Sequence, residues 1–87
     1  MVTFIWDDAD DPDGNTAHVG EHGLTPDEVD EVMLDENLPI IPSRTSGRPG
    51  RFGWTSTGKY IVVFWDRVSD DPRIIYPATA YEVPPPA

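Results

Sequence analysis

The chain has 87 residues, no cysteine and a formal net charge of −10, which fits one small domain burying roughly 60 to 65% of its unfolded surface. Without cysteine there is neither a disulfide framework nor a thiolate zinc site, and a reducing compartment suits the composition. The opening Met1–Asp8 has no basic n-region or long apolar run, and no segment is long enough to cross a bilayer. The expectation is a soluble, cytoplasmic domain.

Charge is unevenly placed. Residues 1–37 hold twelve of the sixteen acids and no Lys or Arg, whereas residues 38–65 hold no acid and four bases, Arg44, Arg48, Arg51 and Lys59. The net charge argues against a polyanionic partner, but the middle third can present a local positive surface.

In chain order, Val2–Trp6 is a short β-type run with Phe4 and Trp6 on one face. Asp7–Asn15 is an acidic turn that superficially resembles a calcium loop. With Gly14 in the sixth position, however, Ala9 falls in the first and Gly20 in the twelfth, where a bidentate Glu is needed. The simpler reading is an exposed turn in which Asp13 or Asn15 caps a short helix over residues 16–22. His18 and His22 lie at i and i+4 on that helix, a metal-ligand spacing, yet the third ligand of a zincin is missing and a structural role is expected.

The best-specified stretch is His22–Met33. Gly23 suits the left-handed residue that ends one helix, Thr25 is an N-cap, Pro26 a first helical residue, and Glu28 completes a capping box. Leu24 and Val29 occupy the positions of a hydrophobic staple. A second helix over 26–34 then buries Val29, Val32 and Met33, leaving Asp27, Asp30 and Glu31 on an acidic outer face.

Leu38–Pro42, interrupted by two prolines, reads as an edge strand or extended link, and Ser43–Gly50 as a mobile loop carrying Arg44 and Arg48. Arg51–Thr55 and Lys59–Val68 form a predicted hairpin, with Phe52 and Trp54 sharing a face. Tyr60–Trp65 is apolar at every position, as a central strand covered on both sides would be. Ser69–Pro72 is a turn and Arg73–Tyr76 a strand that Pro77 stops. The predicted order is β-α-α-β-β-β: an α+β domain over residues 1–82, its two N-terminal helices paired on one face of a small twisted antiparallel sheet. Residues 83–87 form a flexible Pro-rich tail.

Several of these residues resemble the BrnT family of toxins from bacterial type II toxin-antitoxin modules. They are Phe4, Trp6 and Asp7, then Asn15, then His22-Gly23 with Thr25, Glu28 and Val29, then Arg51-Phe52, Gly58, the strand Tyr60–Phe64, and Arg73-Ile74-Ile75. Ala78-Thr79 and Tyr81-Glu82 lie loosely on that family's final segment. The resemblance implies a RelE/ParE-like fold and a metal-independent endoribonuclease without cofactor. It also implies neutralisation by a DNA-binding antitoxin, with a homodimer or hetero-oligomer as the assembled form. Two departures stand out: the final segment Tyr76–Glu82 contains no base, and Glu21 occupies the place of a basic residue before His-Gly.

Metal-free RNA cleavage needs a base, an acid and cations for the developing charge. Arg51, Lys59 and Arg73 lie on or beside adjacent strands, where one sheet face would gather them around a phosphate, and His22 is the proton-transfer candidate. Arg44 and Arg48 supply backbone contacts, and Trp54 or Tyr60 stacks a base. The structural alternatives are that Arg51 and Arg73 pair with acids at sheet edges, that Trp54 is core, and that His22 packs or caps its helix. A second function class is a non-catalytic module whose Asp27, Asp30 and Glu31 dock a basic protein partner. A third is an acidic nucleic-acid mimic.

Overall fold

A computed structural model of the chain describes residues 1–86. Its elements are β1 (Val2–Phe4), α1 (Asn15–Glu21), α2 (Pro26–Leu34), β2 (Ile41–Pro42), β3 (Pro49–Trp54), β4 (Tyr60–Asp70) and β5 (Arg73–Glu82). The α+β class and the two N-terminal helices are as expected. The sheet differs: it has five strands in the order β1-β5-β4-β3-β2, and β1 runs parallel to β5. A parallel neighbour requires a long crossover, and here the whole intervening chain supplies it.

Local signals decide α2. Thr25 accepts from the Glu28 amide, the Glu28 side chain accepts from the Thr25 amide, and Pro26 takes the first turn. His22 ends α1 and Gly23 follows at φ 77°, the left-handed corner that glycine allows. α1 is capped otherwise than expected. Its N-cap is Gly14, without a side-chain bond, and neither Asp13 nor Asn15 serves.

Asn15 does something else. It is buried, its amide nitrogen donates to the carbonyls of Ile5 and Pro77 at 2.9 Å each, and its oxygen accepts from the Asp7 amide at 2.8 Å. Asp7 in turn accepts from the Asn15 amide and the Tyr76 hydroxyl. These bonds, Tyr76 first, hold the Asp7 carboxyl below its ordinary value and the Tyr76 phenol above its own. One side chain thereby joins the exit of β1, the start of α1 and the middle of β5.

The helices are not a packed pair. α1 lies against β5, and α2 lies over β3 and β4. Val19, Leu24, Val29, Val32 and Met33 meet Ile61, Val63, Trp65, Ile75 and Ala80 in a single core. Where β1 ends beside Ile75, α1 takes over the free edge of β5. This explains why Pro77 does not stop the strand. It faces Trp65 across a register shift and its carbonyl serves Asn15, so the missing amide proton breaks no regular ladder.

Two further expectations change. The Ser43–Gly50 loop is an organised turn, closed by Ser43 N–H to the Arg48 carbonyl at 2.8 Å and Gly47 N–H to the Ser43 carbonyl at 3.0 Å. The Pro-rich tail begins with one more ladder bond, Val83 N–H to the Tyr60 carbonyl, and Ala87 lies outside the described residues. Among the described residues no helix is long and apolar enough to cross a membrane.

Asn15→Ala leaves three backbone groups unpaired at a buried junction and should cost about 3 kcal/mol. Urea unfolding measures this, and a loss under about 1 kcal/mol contradicts the junction role.

Candidate functional site

Side-chain parity separates two faces of the sheet. Arg51, Gly53, Ile61, Val63 and Ala80 point toward the helices. At Gly53 a Cβ would lie 2.7 Å from a Leu38 methyl and 3.2 Å from Val32, so this stretch of β3 lies directly beneath α2. Phe52, Trp54, Tyr60, Val62, Phe64, Thr79 and Tyr81 point the other way. No helix covers that side, contrary to the expectation of a strand enclosed on both faces.

The uncovered face is aromatic. Trp54 and Tyr60 have ring centroids 5.1 Å apart, Phe52 and Tyr60 are stacked at 6.3 Å, and Phe64 lies 6.5 Å from Tyr81. Beneath them Val62 is 1% exposed, while Trp54 is 55% exposed and Tyr81 38%. The rings shield the sheet yet leave their own faces in water. At one rim a groove of ≈ 410 Å³ runs between Ile41–Thr45 and the rings of Phe52 and Phe64, with Arg44 on its wall. Gly50 allows this geometry, because a Cβ there would lie 2.5 Å from the Phe64 ring. Asp66, the acid on this side of β4, is paired with Arg48 at 2.9 Å. At the other rim His22 lies 5.9 Å from the Tyr81 ring and 5.6 Å from His18.

The expected catalytic group divides in two. Arg51 is 5% exposed. Its guanidinium donates to the Met33 carbonyl at 2.6 Å and lies 5.6 Å from the Trp65 ring centroid, and its Nε has no partner. This cation faces the C-terminal turn of α2, which has no base of its own. Arg51 and Arg73 line one small cavity of ≈ 20 Å³, room for about one water.

Lys59 lies elsewhere, donating to the Gly23 carbonyl at 2.8 Å next to His22 and pairing with Glu28 at 3.1 Å. β4 separates the two sites, since Asp70 pairs with Arg73 while Tyr60 adjoins Lys59. Its length sets them roughly 30 Å apart. The four residues therefore do not surround one phosphate.

The RNA-contact candidates fare differently. Trp54 and Tyr60 stand together on the open face and Arg44 and Arg48 at its rim. Sequence reading missed Phe64, Tyr81 and His18 as members of this surface. Phe64 shares the parity of Tyr60, a legible signal. Tyr81 lies beyond Pro77, in a segment not read as strand. Of the acidic docking residues, Asp30 accepts from Trp6 Nε1 at 2.9 Å and Glu31 from the Ser56 amide at 2.7 Å, leaving Asp27 with its carboxylate in water. Burial raises the Asp30 carboxyl, opposed by Trp6 and reinforced by Asp27. Among the described residues no three His, Cys, Asp or Glu side chains gather as metal ligands.

Comparison of the chain with protein-family models, curated proteins and solved structures returns no match.

Glu28 links α2 to the hairpin turn. Burial opposes its ionisation, but Thr57, Lys59 and the Thr25 amide outweigh burial and hold the carboxyl below its ordinary 4.5. Its stabilising contribution is therefore complete above pH 4.5 and lost as pH falls through the lower folded value. Asp7 acts in the same direction from 3.8, and Asp30, raised, acts oppositely. Glu28→Gln should be less stable at neutral pH and show a flatter acid limb. Urea midpoints across that range measure this, and an acid limb as steep as wild type contradicts it.

Proposed function

We propose that the chain is a BrnT-like, RNA-directed toxin domain of RelE/ParE-like fold, which takes single-stranded RNA across its open sheet face and is held in check by an antitoxin partner. The observation that carries this reading is the uncovered aromatic face. Unstacked bases are recognised by stacking on exposed rings, and a sheet that keeps Trp54, Tyr60, Phe52, Phe64 and Tyr81 in partial contact with water offers such rings in sequence. From β2 to β5 is three strand spacings, about 14 Å, a span suited to the two or three bases that open sheets stack. The groove beside Phe52 and Phe64 has Ser43 and Thr45 hydroxyls for base edges and Arg44 for a phosphate.

Charge placement supports the same side. The acid-rich residues 1–37 supply the first loop and both helices, whereas the exposed strand face has Asp66 already neutralised by Arg48. Stacking must provide most of the affinity. Arg51, Lys59 and Arg48 are committed within the protein, so few cations remain to release counterions. The competing protein-docking reading loses support, because two of its three carboxylates are already bonded internally.

The test is fluorescence anisotropy with a labelled mixed-sequence single-stranded RNA. Trp54→Ala and Tyr60→Ala should each weaken binding roughly five- to hundredfold, the range for one stacked base. With about two phosphate contacts, raising salt from 50 to 200 mM should cost roughly sevenfold. Overexpression should arrest growth in a manner that both variants relieve. Absence of RNA binding, or variants that bind like wild type, overturns the reading.

A further inference from the structure

The α1 edge of the open face carries two imidazoles that the expected catalytic group did not include as a pair. His18 and His22 are one helical turn apart, both exposed, with ring centroids 5.6 Å apart and planes at 80°. Each is positioned from β5: His18 Nε2 lies 3.1 Å from the Thr79 hydroxyl, and the His22 ring lies 5.9 Å from Tyr81, which continues to Phe64. The pair therefore stands at the end of the aromatic path across the sheet, where the backbone of a stacked strand would leave it. Lys59, bonded to the carbonyl of Gly23, is the cation beside His22. The charged and titratable neighbours are Glu21 on α1, Tyr81 from β5 and Lys59 from the hairpin turn.

Resting on the RNA-binding reading above, we infer that His18 and His22 act together as the proton-transfer pair for RNA transesterification at this rim. Arg51, buried, and Arg73, at the far end of β4, are not part of it. Two imidazoles at this separation can stand on either side of one phosphodiester. The neutral one takes the 2′-hydroxyl proton as the 2′-oxygen bonds to phosphorus. The bond from phosphorus to the 5′-oxygen breaks, and the protonated imidazole gives its proton to that leaving oxygen. The products are a 2′,3′-cyclic phosphate and a 5′-hydroxyl, so the step conserves atoms and electrons without a co-reactant.

Two measurements on the whole protein separate this inference from the reading beneath it. Binding is measured with 2′-O-methyl RNA, which has no nucleophile. Cleavage is measured with the same sequence as RNA, with the ends identified by mass spectrometry. The expected result is a cyclic phosphate end, a bell-shaped dependence of rate on pH, and at least a hundredfold loss in His18→Ala and in His22→Ala. Binding of the methylated strand should stay within about twofold of wild type in both. His18→Gln and His22→Gln, which keep a polar side chain at each position, should be equally inactive. Intact RNA with bound 2′-O-methyl strand overturns the inference and leaves RNA binding standing. Undiminished cleavage in either single variant also overturns it, and failure to bind the methylated strand overturns both.

Discussion

The position of α2 on the β3–β4 hairpin is fixed by a charge at each of its ends, and most of the surface chemistry follows from that. At the N-terminus the buried Glu28 carboxylate closes the capping box and accepts from Thr57 and Lys59 in the hairpin turn. At the C-terminus Arg51, rising from β3, donates to the Met33 carbonyl and covers Trp65. Between them Gly53 lets the helix descend onto the strand. A buried cation with a backbone carbonyl and an aromatic face as partners is worth keeping only where its geometry is held on every side. Two of the chain's six basic residues are thus absorbed by the scaffold.

That commitment explains why the functional surface is aromatic rather than basic. With Arg51 turned inward, its neighbours Phe52 and Trp54 face outward by the alternation of a strand. The face away from α2 then needs a cover for Val62, and Phe52, Tyr60, Phe64 and Tyr81 supply it without a second layer of helices. A layer of rings that shields a strand and still meets water is stable as a surface and also able to accept a flat ligand.

What the sequence disclosed was local. The corner from His22 to Met33 was legible because caps, staple and glycine act within one or two turns of chain. The hairpin was legible from its alternation. The partnership of β1 with β5 was not, since Val2 meets Arg73 across nearly the whole chain and no local preference encodes it. Pro77 misled for the same reason. A proline ends a strand on local grounds, but here a distant residue, Asn15, uses its carbonyl and a register shift accommodates its ring. Arg51 misled differently. Parity placed it opposite Phe52 and Trp54, but only the location of α2 decides which parity is inside. Gly53, on the Arg51 side, was the available hint, since a glycine within a strand often marks a close backbone approach.

The same long-range pairing brings the two histidines to the open face. In sequence they are a pair on a short helix with no third ligand, and a structural role was the simpler reading. They reach the sheet because β1 stops at Phe4, leaving the second half of β5 without a strand neighbour, and Asn15 anchors α1 into that gap. The helix closes an edge that would otherwise expose unpaired backbone. In closing it, α1 lays one side of its surface against Thr79 and Tyr81, and the residues one turn apart on that side are His18 and His22. A device that protects a sheet edge thus also sets two imidazoles beside the aromatic path, and the location of any proton transfer follows from where β1 ends.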